Sequence, residues 1–169
     1  MFSGQGPQWF VMGRGLYKDH QVFREAIDMV DSELRRITPE FKELFPTEES
    51  TSWTVASQIL CGTPDDEQFV NRADVAQILI FSVQFALASL LKHCGIEPDF
   101  VVGHSLGEVS AALVSGVLDF RSAVYLIKAR GTLQNKASKL GGRMIAVNCD
   151  SALEVCKKNI IGLEVCRTK

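Results

Sequence analysis

Pro98-Asp99-Phe100-Val101-Val102-Gly103-His104-Ser105-Leu106-Gly107-Glu108-Val109 is the stretch on which the fold turns. Its first half is a brief apolar, β-branched run that reads as a buried strand; its second half opens a helix reaching Ser115, which Gly116 ends. Strand, tight turn and helix, in that order, give meaning to Gly103-His104-Ser105-Leu106-Gly107, a Gly-x-Ser-x-Gly nucleophile elbow in which glycines flank a serine on a strained turn. That geometry projects the Ser105 hydroxyl from the sheet edge and aims the Leu106 N–H at the place where an acyl oxyanion forms, beside the positive end of the helix dipole. The same five residues also fit a plain strand-to-helix turn with Ser105 as the helix N-cap.

On the N-terminal side of this stretch, residues 75–91 are the most apolar part of the chain. They are short for a membrane span and interrupted by Gln77, Ser82, Gln84 and Ser89, so they predict a buried helix, capped by Asp74 and ended near Cys94 by Gly95. Residues 39–72 hold Pro46, Gly62, Pro64 and the acidic run Asp65-Asp66-Glu67; two short helical pieces are expected there within a surface connection. In residues 20–37, Val22, Phe23, Ala26, Ile27, Val30, Leu34 and Ile37 recur at threes and fours, which predicts an amphipathic helix closed by Thr38-Pro39. The opening Ser3-Gly4-Gln5-Gly6-Pro7-Gln8 is a loop by composition.

On the C-terminal side, residues 120–137 predict a helix with Ala123, Val124, Ile127 and Leu133 as its apolar stripe. Gly141-Gly142 marks a boundary, after which strand, helix and strand are expected in 143–166. This sets two units, 1–139 and 140–169.

Composition narrows the classes. The 169 residues are 46% hydrophobic and 22% charged, enough for one globular core, and the net charge of -2 with scattered Lys and Arg argues against a nucleic-acid partner. Cys61, Cys94, Cys149, Cys156 and Cys166 form no Cys-x-x-Cys pair and no His stands at metal-ligand spacing, so no metal site is expected and the thiols read as buried in a reducing compartment. The N-terminus has neither the charged start nor the apolar core of a secretory signal, which makes a cytoplasmic setting the expectation.

Three blocks carry a resemblance: Phe2-Ser3-Gly4-Gln5-Gly6-Pro7-Gln8-Trp9, the elbow stretch through Val109, and Ala129-Arg130-Gly131 in the following helix. With them the chain resembles the acyltransferase domain of type I fatty acid synthases and polyketide synthases, and is similar to freestanding malonyl-carrier transacylases. The resemblance implies an α/β fold: a partial α/β-hydrolase-like acyltransferase core followed by the beginning of an inserted ferredoxin-like subdomain. It implies that Ser105 is the catalytic nucleophile, that Gln5 and Leu106 form the oxyanion hole, and that Arg130 grips the free carboxylate of a malonyl-type acyl group. Gln77 and His104 are expected at the substrate pocket. Read from the residues alone, Arg130 fits a solvated helix face as well, and Gln77 a buried amide satisfied by backbone.

No cofactor is expected to be bound; the resemblance implies substrates carried on coenzyme A and on the phosphopantetheine of an acyl carrier protein, with neighbouring synthase domains such as ketosynthase as further partners and no membrane. A serine nucleophile needs a base. His104 is expected to support the site, His20 and His93 to be structural or solvated, and the family's catalytic histidine to lie downstream of Lys169, leaving this chain alone a poor enzyme. Two other readings share the elbow: an α/β serine esterase, and a non-catalytic fragment that docks carrier protein.

Overall fold

The computed structural model describes residues 1–44 and 53–140. The described residues form seven α-helices, α1 Arg14–Asp19, α2 Gln21–Leu44, α3 Val55–Cys61, α4 Glu67–Val70, α5 Ala73–His93, α6 Gly107–Val114 and α7 Phe120–Ser138, with a 3-10 turn at Pro64–Asp66 before α4. The expected boundary at Gly141-Gly142, the strand-helix-strand unit beyond it, and Cys149, Cys156 and Cys166 lie outside them.

At the centre is α5. Every residue from Val75 to Gln84 is buried, which is why its sequence is apolar on all sides rather than on one stripe. By length and composition it could cross a membrane, but here α2, α6 and α7 pack around it. Its buried polar groups are all partnered: the Ser82 hydroxyl donates to the Ile78 carbonyl at 2.7 Å, and Gln77 and Gln84 reach other elements. The helix ends as expected, with Gly95 in the left-handed region at φ 78°. Its start differs. Arg72 occupies the N-cap and Asp74 the first turn, where the carboxylate still meets the positive helix end and takes Arg72 Nη2 at 2.8 Å.

Helix α2 lays Phe23, Ala26, Ile27, Val30 and Ile37 into the core. It does not stop at Thr38-Pro39 but continues to Leu44 with Pro39 inside it. A proline in a helix interior costs about 3 kcal/mol, roughly what one or two buried aliphatic side chains return, and Ile37 is fully buried just before it. The Thr38 hydroxyl also donates to the Leu34 carbonyl at 2.6 Å, a contact that bends a helix locally. Tertiary burial thus overrides the local stop signal.

Residues 53–72 are more than a surface connection. Thr54 caps α3 through a capping box with Ser57, and the Asp31 carboxylate of α2 accepts the Val55 N–H at 2.8 Å and the Ala56 N–H at 3.0 Å. That anchor swings Val55 and Ile59 into the core, both fully buried. Within α7, Ala123, Val124 and Ile127 are buried as expected, but Leu133 is 49% exposed; six residues beyond Ile127 turns it about 240° around the helix, off the stripe. Cys61 and Cys94 are exposed free thiols rather than buried ones, standing at the C-terminal ends of α3 and α5.

The stretch 98–103 is not a buried strand: it bends at Asp99 and, among the described residues, pairs only at Gly103. Its one pairing among the described residues is a parallel bridge between Gly103 and Phe2, made by the Phe2 N–H to the Val102 carbonyl at 2.8 Å and the His104 N–H to the Phe2 carbonyl at 3.0 Å. With a partner on one edge only, Phe100 and Val102 remain 95% and 60% exposed.

Candidate active site

The bridge at Phe2 delivers the N-terminal loop to the turn that follows Gly103. In that turn the Gly107 N–H donates to the His104 carbonyl at 2.9 Å and the Glu108 N–H to the Ser105 carbonyl at 3.1 Å. Ser105 sits at φ 54°, the single non-glycine residue with positive φ among the described residues; the strain of roughly 1–2 kcal/mol is what a nucleophile elbow stores. The flanking glycines are dictated by space. A Cβ on Gly103 would lie 2.3 Å from the Gly107 carbonyl oxygen, and one on Gly107 would lie 2.3 Å from the Phe2 oxygen. Helix α6 then starts with Leu106 as N-cap and no side-chain capping bond, so Ser105 does not act as a helix cap.

The Ser105 hydroxyl oxygen instead accepts a hydrogen bond from Arg130 Nη2 at 2.9 Å. Arg130 comes from α7, and its other arm, Nη1, donates to Gln77 Oε1 of α5 at 2.8 Å. Neither side chain follows the plainer alternative: Arg130 is half-buried and spans two side chains, and the fully buried Gln77 is satisfied by side chains, not by backbone. Gln77 Nε2 in turn donates to Gln134 Oε1. Close approach of the helices makes this possible, since a Cβ on Gly131 would fall 3.0 Å from Asp74 Cα.

Leu106 is fully buried behind the turn, and its backbone N–H donates to no backbone carbonyl among the described residues. Gly4 packs directly on the elbow, where an added Cβ would meet His104 Nδ1 at 2.9 Å and Ser105 Cβ at 3.4 Å. The His104 side chain therefore lies over Gly4. Gln5, one residue further, is exposed beside the turn and forms no hydrogen bond with Ser105 or Arg130 among the described residues. His20 and His93 are exposed at helix ends, as expected.

Sequence reasoning missed Gln134 and the roles of Gly131 and Gln84. Gln134 shares the Arg130 face of α7, one turn on; Gly131 sits where two backbones nearly touch. Gln84, two turns after Gln77 on α5, donates to the Ser3 carbonyl at 2.9 Å and accepts from the Ser110 hydroxyl at 2.6 Å, tying the N-terminal loop, α5 and α6 into one frame. The i, i+4 and i, i+7 spacings were the available signal.

Residues 1–163 match the family described as acyl transferase domain. The mycoketide-CoA synthase of Mycobacterium tuberculosis is 42% identical over 147 residues, which is 87% of this chain and 3% of the synthase. A loading acyltransferase from the avermectin modular polyketide synthase superposes with a TM-score of 0.66 at 33% identity, over 80% of this chain and 38% of that one. The malonyl-CoA:ACP transacylase of a Synechocystis strain superposes with a TM-score of 0.62 at 28% identity, over 80% and 39%. These neighbours are acyltransferases of α/β fold, each much longer than the stretch matched.

Proposed function

The chain belongs to the acyl transferase domain family, and from that premise we propose that it forms the nucleophile-bearing part of an enzyme that moves a malonyl-type acyl group from coenzyme A to the phosphopantetheine arm of an acyl carrier protein. Ser105 attacks the thioester carbonyl while a base takes its proton. The tetrahedral oxyanion rests on the Leu106 N–H and on Gln5, donors whose individual loss typically costs about 10²–10³ in rate. Collapse expels the coenzyme A thiolate, which recovers the proton, and leaves a serine ester. The carrier's thiol then attacks that ester by the same steps in reverse order, freeing Ser105.

The observation that carries this reading is the 2.9 Å contact between Arg130 and the Ser105 hydroxyl. In a malonyl ester one methylene separates the acyl carbonyl from the free carboxylate, so a cation that reads that carboxylate must stand against the nucleophile itself. Arg130 does, with a planar fork suited to two-pronged carboxylate recognition. A neutral-ester hydrolase would have no use for a cation at that point.

The base is proposed to be a histidine contributed by the full-length protein outside the 169 residues, as the resemblance implies; the His104 side chain lies over Gly4. By analogy with serine hydrolases, its loss would cost on the order of 10⁶ in turnover. The same reading takes residues 1–139 as the large subdomain and 140–169 as the start of the ferredoxin-like one, in a cytoplasmic synthase beside domains such as a ketosynthase. Mass spectrometry of the full-length protein after incubation with malonyl-CoA tests the core of it: the adduct should map to the Ser105 peptide and vanish in Ser105→Ala. A malonylated alanine variant, or preferential hydrolysis of neutral esters, would overturn it.

A further inference from the structure

Gln77 holds one arm of Arg130, yet a glutamine amide has two unlike ends and a mobile side chain. Its oxygen accepts from Arg130 Nη1 at 2.8 Å, and its nitrogen donates to Gln134 Oε1. Arginine only donates, so the guanidinium accepts no other end of the amide than the oxygen. The amide nitrogen, on a residue with no solvent exposure, then requires an acceptor of its own. Gln134 supplies it.

Arg130 and Gln134 are one turn apart on the same face of α7, so the two side chains bracket the Gln77 amide from above and below. From this geometry we infer that Gln134 is a positioning residue for donor recognition: it pins Gln77, which pins the Arg130 guanidinium in the orientation that also reaches Ser105. Rested on the reading that Arg130 takes the acyl carboxylate, this assigns Gln134 a role in selecting carboxylated over neutral acyl donors without contact to either. Without the Gln134 oxygen, the Gln77 nitrogen seeks another acceptor and draws its oxygen away from Nη1. The guanidinium then has to be ordered by the substrate, and that ordering is charged to affinity.

The test uses the full-length protein with Gln134→Met, Gln77→Met, the double variant and Arg130→Ala, measuring kcat and KM for malonyl-CoA and acetyl-CoA alongside thermal melts. Gln134→Met should raise the malonyl-CoA KM by about three- to tenfold, as expected for one lost part-buried hydrogen bond, while the acetyl-CoA KM changes little. The double variant should be no worse than Gln77→Met, because Gln134 acts through Gln77. Equal effects on both donors, or additive effects of the two substitutions, overturn the inference. If Arg130→Ala keeps the malonyl preference, the underlying reading fails; if it abolishes the preference while Gln134→Met retains it, only the role of Gln134 fails.

Discussion

Arg130 Nη2 stands 2.9 Å from Ser105 Oγ, joining a cation from α7 to a strained residue at the head of α6. Helix α5 holds Arg130 directly through Gln77, and holds α6 through the bond of Gln84 to Ser110. The position of the nucleophile is thus set by the packing of three helices, and small changes in that packing should register in the chemistry.

The strain at Ser105 makes a sign-definite prediction. Ser105→Ala and Ser105→Gly both remove the hydroxyl, but only glycine adopts φ 54° at no cost. Denaturant melts should find the glycine variant more stable than the alanine variant by about 1 kcal/mol. Equal stabilities would mean the turn is not strained.

Two glycines should respond in opposite directions to alanine. Gly107→Ala drives a Cβ to 2.3 Å from the Phe2 carbonyl oxygen, and relief requires breaking the Phe2–Gly103 bridge, at about 3 kcal/mol or more. Gly15→Ala, in α1 with nothing within 4 Å, should stabilise by about 0.5 kcal/mol through helix propensity. Unfolding can be followed by tryptophan fluorescence, since Trp53 packs edge-on against Phe69.

Gly131→Ala places a Cβ 3.0 Å from Asp74 Cα and 3.1 Å from the Ala73 oxygen, so α7 must withdraw from α5. The expected cost is about 1–2 kcal/mol. Arg130 precedes this position, and the withdrawal should also weaken its reach to Ser105, seen as slower acylation under conditions where the variant remains folded.

Asp31 predicts a pH dependence. Burial pushes its carboxyl above the ordinary value of 3.8, against the lowering influence of the Ala56 and Val55 N–H groups. In the window from 3.8 upward to the raised value the folded chain holds a proton that the unfolded chain has released. The stability linked to this group is therefore complete below 3.8 and declines as pH rises through that window. Asp31→Asn cannot titrate and loses one of the two acceptors that hold the Val55 and Ala56 N–H groups, so it starts less stable, and its deficit in melting temperature should shrink as pH rises above 3.8. The opposite slope would contradict the assignment.

Much of the site was readable from residue spacing because the elbow is a local device: two glycines, a serine and a following helix fix their own geometry. The end of α5 at Gly95 and the start of α3 at Thr54 follow local rules too. Pro39 did not stop α2, since burial of Ile37 and its neighbours outweighs a local penalty that sequence presents in isolation. The exposure of Phe100 and Val102 depends on which partners flank residues 98–103, and composition does not encode that. Arg130 could be placed only through the family resemblance, and Gln134 escaped notice because its role lies in a contact between two helices far apart in the chain.

The central claim is that one acyl group engages Ser105 and Arg130 together. A structure of the full-length protein trapped as its malonyl ester measures this directly. The account predicts an ester bond at Ser105 Oγ with the free carboxylate within hydrogen-bond distance of the Arg130 guanidinium, while Nη1 stays on Gln77. An ester whose carboxylate points into solvent, away from Arg130, would contradict it.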